Sequence, residues 1–146
     1  MNSIYVCHYQ AADRFLEYKI GLKNKIFWKY SMEAHRNQPR NENEGYDFGT
    51  QLTDNKIVVF LSEATKAGFE NWKEVYNMPI VAGGHWWDID IAFSNGIIKK
   101  IHGCNGYPKT WNEMNLALKN LTGEENILLY NVSPNKWIKI YDGEDK

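Results

Sequence analysis

The densest grouping of residues able to do chemistry is Gly83-Gly84-His85-Trp86-Trp87-Asp88-Ile89-Asp90. On a strand, Trp86, Asp88 and Asp90 share one face while Trp87, Ile89 and Ile91 share the other. Two carboxylates on alternate residues suit a divalent cation or an acid and base pair, with His85 as helper. The same pattern also keeps the solvent side of a sheet soluble and guards an edge against aggregation, which is its commoner use. Cys7-His8 and His102-Gly103-Cys104 supply the soft ligands that zinc takes, but Cys7 and His8 are adjacent and point to opposite sides of a strand. A buried free thiol and a satisfied histidine explain them more simply, and no metal site is assigned. Cys104 beside His102 has a base at hand but no nucleophile elbow or oxyanion motif. No phosphate-binding loop of either common kind occurs.

These residues need elements to hold them. Ser3 to Tyr9 alternates β-branched and aromatic residues, which predicts a strand. Leu16, Tyr18, Ile20 and Leu22, then Ile26, Trp28, Tyr30 and Met32, recur with period two around Lys23-Asn24-Lys25, which predicts a hairpin. His35 to Gly45 is polar and carries Pro39, so it reads as an exposed loop. Asp54 stands as the cap of a long helix over 55–76, on the spacing of Ile57, Leu61, Ala64, Gly68, Trp72 and Tyr76; the β-branched run Lys56 to Leu61 offers a strand as the alternative. Trp87 to Phe93 and Ile97 to Ile101 form a second hairpin across Ser94-Asn95-Gly96. Thr110 and Glu113 make a capping box for a shorter helix whose face is Trp111, Met114, Leu118 and Leu121, and which Gly123 stops. Ile127 to Tyr130 and Lys136 to Tyr141 predict a closing hairpin, with 142–146 as a frayed tail. The expected fold is therefore a single α+β domain over 1–146, an antiparallel sheet of hairpins with one long central helix and one shorter helix in the C-terminal half.

The chain has 146 residues, a formal net charge of -1 and two cysteines. That length suffices for one core, and the charge gives no global field to recruit nucleic acid or an anionic membrane. With no run approaching the roughly 18 apolar residues of a membrane span and too few cysteines for a disulfide framework, the expected compartment is the cytoplasm. Lys19, Lys23, Lys25 and Lys29 interleave with Tyr18, Phe27, Trp28 and Tyr30, a pattern compatible with single-stranded nucleic acid but equally with a core hairpin.

From Trp87 through Leu121 the order runs strand, Asn-Gly turn, strand, Gly103-Cys104-Asn105-Gly106-Tyr107-Pro108, then a helix beginning at Trp111. This resembles a recurring C-terminal unit of small uncharacterised bacterial and phage proteins, in which a tryptophan-bearing strand pairs with one ending in G-x-N-x-Y-P. Those proteins tend to carry alanine where Gly106 stands, and Cys104 is not part of their motif. The resemblance implies a structural unit and no particular activity.

The expected function is accordingly that of a small non-enzymatic binding or regulatory protein acting on a protein partner, of the immunity or anti-defence kind, without a cofactor. Its expected binding residues are His85, Trp86, Asp88, Asp90, Asn105 and Tyr107, and no residue is assigned a catalytic role. The alternatives are a metal-dependent enzyme centred on His85, Asp88, Asp90 and His102, and a nucleic-acid binder using the hairpin over 16–32. They are told apart by whether those four side chains converge, and by whether the lysines form one continuous stripe.

Overall fold

A computed structural model of the chain describes residues 1–10, 13–31, 49–77, 85–129 and 139–141. The loop expected over 35–45 and the tail expected over 142–146 lie outside these residues. Seven strands form one mixed sheet: β1 (Ser3–Gln10), β2 (Asp13–Gly21), β3 (Ile26–Ser31), β4 (Thr50–Gln51), β5 (Val75–Asn77), β6 (Trp86–Ala92) and β7 (Ile98–Cys104). Their order across the sheet is β4-β3-β2-β1-β6-β7-β5. All neighbours are antiparallel except β5, which runs parallel to β7. With helices α1 (Asp54–Lys66) and α2 (Trp111–Thr122), the fold is α+β.

The alternation expected of β1 and β6 decides which way the sheet faces. Ile4 and Val6 on β1, Tyr18 and Ile20 on β2, and Trp87, Ile89 and Ile91 on β6 are all buried in one cluster with Phe60 of α1 and Met114 and Leu118 of α2. Trp87 and Trp111 meet with ring centroids 4.7 Å apart, so α2 lies on this face. The first hairpin forms as expected, but its two strands contribute opposite parities. Tyr18 pairs with Lys29 and Ile20 with Phe27, so Phe27 joins the core while Ile26, Trp28 and Tyr30 turn to the other face. The four-residue turn, with Lys25 at a φ of 62°, sets that register.

The long helix expected over 55–76 ends instead at Lys66. Gly68 takes a φ of 67°, a left-handed conformation that a continuing helix excludes, and a 3-10 turn over Phe69–Asn71 follows before β5. Trp72 and Tyr76 are buried as the spacing suggested, but from a turn and a strand rather than a helix. The alternative strand over 56–61 does not form. Thr53, not Asp54, caps α1, its hydroxyl accepting from the Lys56 amide at 3.3 Å. Residues that a strand would have half-buried, Val58 and Val59, are exposed on the helix.

Around α2 the stop is as expected, with Gly123 at a φ of 78°. The capping box is not formed: the Thr110 hydroxyl donates to the Ala67 carbonyl at 2.7 Å and accepts from the Trp72 indole N–H at 3.0 Å. Thr110 thus ties the end of α1 to the start of α2. The expected closing hairpin is also corrected. Residues 127–129 form no strand, and β9 (Lys139–Tyr141) pairs parallel with β8 (Gly106–Pro108).

Candidate functional site

Strand β6 separates the residues that the sequence grouped. His85, at its entrance, turns to the helix side with Asn105 and Tyr107, whereas Trp86, Asp88 and Asp90 stand on the opposite face of the sheet. The expected set is thus two sites, and neither is complete without residues that the sequence did not single out together.

On the helix side the missing partner is His8. It is the next inward position after Ile4 and Val6 on β1, and it is fully buried. The pairing of β1 with β2 slips between His8 and Tyr9, so the strand is bulged at this residue. His8 Nε2 lies 2.6 Å from the Ile127 carbonyl, His8 Nδ1 lies 2.8 Å from His85 Nε2, and His85 Nδ1 lies 2.8 Å from the Tyr107 hydroxyl. A carbonyl only accepts, so His8 must donate from Nε2, and a neutral His8 then accepts at Nδ1. His85 consequently donates from Nε2 and accepts at Nδ1, where the Tyr107 hydroxyl donates. The chain has one direction, Tyr107 to His85 to His8 to Ile127.

Burial holds both rings neutral. It lowers His8 to about 4, against which the Ile127 carbonyl pulls upward, and it lowers His85 to about 3, with His8 lowering it further. Asn105, at a φ of 54°, fixes the entrance: its Oδ1 accepts from the His85 amide at 3.0 Å and its own amide donates to the His85 carbonyl at 3.0 Å. Trp111 closes the edge of both His85 and Tyr107. His8, His85 and Tyr107 are all buried, Tyr107 at 2% exposure. The relay is a polar joint between β1, β6, β8 and the segment after α2.

Tyr107→Phe keeps the ring and removes the hydroxyl that donates to His85 Nδ1. The expected loss is about 1–2 kcal/mol in urea unfolding at neutral pH, the penalty for a buried acceptor left without its donor. Nitrogen-15 spectra of the wild type should show both rings protonated at Nε2. A spectrum with His8 protonated at Nδ1 overturns the direction of the chain.

The opposite face carries the other half. Across β2, β1, β6 and β7, Glu17, Cys7, Asp88 and His102 stand in one row of register partners; Lys19, Tyr5, Asp90 and Lys100 form the next, with Trp28 beyond Lys19 on β3. Glu17 and Cys7 are buried, and the row opens toward His102. Burial, then Cys7 and Glu17, push the Tyr5 phenol up; burial and Asp88 do the same for Tyr9. Both phenols therefore stay protonated, as donors to the carboxylates. Asp90 is pushed up by burial, with Lys100 opposing and Asp88 adding. Trp28 and Trp86 are 38% and 49% exposed on this face.

The four groups of the metal reading do not meet, since His85 lies on the helix side and Asp88, Asp90 and His102 on the other. Among the described residues no three His, Cys, Asp or Glu side chains are placed to hold a metal ion. Cys7 and His8 point to opposite faces, and Cys7 and Cys104 are buried and not joined in a disulfide. The lysines of the first hairpin are divided too. Lys25 pairs with Asp54 at 2.7 Å and Lys29 with Glu124 at 2.6 Å, while Tyr18 and Phe27 belong to the core. No described helix is long and apolar enough to cross a membrane.

Fold and faces together define a class: an α+β fold whose seven-stranded mixed sheet carries two helices on one side and a charged, tryptophan-bearing face on the other. Compared with protein-family models and with curated proteins, the chain matches none.

Proposed function

We propose that this is a non-enzymatic binding protein that engages a protein partner through the sheet face turned away from the helices. The observation that carries the reading is the pair Trp28 and Trp86, large and exposed on one face of a sheet whose other face already holds the core. Exposed indoles cost free energy in water and are the side chains most often found to dominate protein interfaces. Around them Lys19, Asp88, Asp90 and Lys100 give charges of both signs, which suit register and specificity in docking. His85, Asn105 and Tyr107 serve this function indirectly, by holding the entrance of β6 that positions Trp86.

Trp28→Ala and Trp86→Ala should each weaken capture of the partner by about 2 kcal/mol, roughly thirtyfold. Their effect on unfolding should stay under about 1 kcal/mol, because neither ring lies in the core. Capture from extracts of the native host, quantified by mass spectrometry, compares wild type with the double variant. Recovery of the same proteins by both, or recovery of nucleic acid in place of protein, counts against the reading.

A further inference from the structure

Away from the sheet, the helix pair carries an exposed leucine beside a hole. The Thr110 hydroxyl at the start of α2 bonds the Ala67 carbonyl at the end of α1, while Lys56 near the start of α1 shares the hole with Leu121 near the end of α2. The two helices therefore run antiparallel. Leu116 stands on the outer side of α2 at 57% exposure, its neighbours Ala117 and Leu118 being buried. The hole between the helices measures about 100 Å³. Among the described residues Val59, Phe60, Ala117 and Leu121 give it apolar walls, with Lys56 and Glu63 on either side of Val59. That is several times the roughly 30 Å³ share of a water molecule, and it suits one aliphatic side chain. A knob and a hole on one face are what a two-fold contact requires, since each copy then supplies both.

The charges select the direction of such a contact. Glu113 precedes Leu116 by three residues and Lys56 precedes Val59 by three, each a rise of about 4.5 Å along one helix face. If Leu116 of a second copy enters the hole with its α2 parallel to α1, the second copy's Glu113 arrives beside Lys56. A two-fold axis lying across the helices produces this arrangement and forms the reciprocal pair at the same time. An axis lying along the helices would bring the second copy's Glu113 to Glu63, carboxylate against carboxylate. Glu113 and Lys56 are both exposed, and among the described residues neither side chain is in an ion pair, whereas Glu63 already meets Lys66 at 3.7 Å.

We infer that the outer side of α1 and α2 is a self-association surface whose occupant is a second copy of this chain, with Leu116 of each copy seated between the helices of the other and Glu113 paired with Lys56. Helices of 13 and 12 residues are each about 20 Å long, and two side by side present about 400 Å². That is half the roughly 800 Å² per partner of a standard interface, so the dimer is a weak one. Because Trp28 and Trp86 lie on the other side of the sheet, the dimer turns two tryptophan-bearing faces outward, an arrangement that adds avidity toward a repeated partner.

Sedimentation equilibrium of the full chain at low salt, from micromolar to millimolar concentration, should show monomer and dimer in reversible exchange. Leu116→Ala places a strong helix former at an exposed position and should weaken the dimer by about tenfold or more. Lys56→Glu and Glu113→Lys each set like charges together and should leave monomers. An equimolar mixture of these two variants should dimerise again, because every contact then joins opposite charges. Urea unfolding of each variant reports whether the monomer fold is intact. A wild type that stays monomeric at millimolar concentration, a dimer unchanged by Leu116→Ala, or a mixture that stays monomeric overturns the inference. Tighter dimers of Glu113→Lys overturn it by placing Glu113 against Glu63. Loss of the dimer in the Trp28→Ala/Trp86→Ala protein also overturns it, and moves self-association to the sheet face.

Discussion

Acidification from pH 7 to pH 5 lowers the unfolding free energy of this protein by about 3–4 kcal/mol, through His8 and His85. In the unfolded chain both rings titrate near the ordinary histidine value of about 6.5. In the native state burial lowers them to about 4 and about 3. Well above pH 6.5 both rings are neutral in both states, and the pair adds no pH dependence. As the pH falls from there toward 4, the unfolded chain takes up protons that the native state refuses, so stability declines by up to about 1.4 kcal/mol per pH unit for each ring. Below the native values the decline ends.

The geometry explains why the native state resists. A proton added at His8 Nδ1 turns that nitrogen into a donor facing His85 Nε2, already a donor at 2.8 Å. His85 must then move its own proton to Nδ1, and the Tyr107 hydroxyl must rotate to accept it. A second proton, on His85 Nε2, would face the Nδ1–H of His8 as donor against donor. Urea unfolding at half-unit steps from pH 7.5 to 4.5 measures the slope, and His85→Gln should roughly halve it while also costing stability at neutral pH. A free energy that stays flat between pH 7 and 5 would show that the two rings are not sequestered.

Much of the frame was legible because period-two patterns and turn chemistry are local. β1, the first hairpin, the β6-β7 hairpin at Asn95-Gly96 and the Gly123 stop all follow from residues a few positions apart. The length of α1 was not, because Trp72 and Tyr76, both buried, continue the helical spacing through Gly68 after the backbone has left the helix. Only the left-handed turn at Gly68 marks the change, and an isolated glycine does not announce its φ. The site was half legible. Alternation along β6 placed Trp86, Asp88 and Asp90 together, but His8 and His85 are 77 residues apart and their pairing depends on β1 lying beside β6. Continuing the inward parity of Ile4 and Val6 to His8 was the available signal, since a histidine on an apolar stripe must find a partner.

Gly103→Ala is expected to cost about 3 kcal/mol, the upper end of ordinary overpacking, although it adds a single methyl group. Gly103 and Trp87 are register partners on β7 and β6, and a Cβ on Gly103 would fall 2.5 Å from Trp87 Cζ2 and 2.7 Å from Nε1. Relief requires moving the indole or the strand. The indole is held by its N–H bond to the Gly106 carbonyl at 3.1 Å and by contact with Trp111. The strand is held by β6 on one side and by β5, through Tyr76, on the other. Gly96→Ala gives the contrast: nothing lies near its Cβ, and only the φ of 85° opposes it, at about 1 kcal/mol. Trp87→Phe in the Gly103→Ala background should recover part of the loss, with a coupling of about 1–2 kcal/mol in a double-mutant cycle. Additive effects would mean that the clash is relieved elsewhere. Because Trp87 packs on Tyr107 and Trp111 beside His85, a displaced indole admits water to the relay. His85 then titrates closer to its ordinary value, and the acid-induced loss of stability in Gly103→Ala becomes smaller than in the wild type.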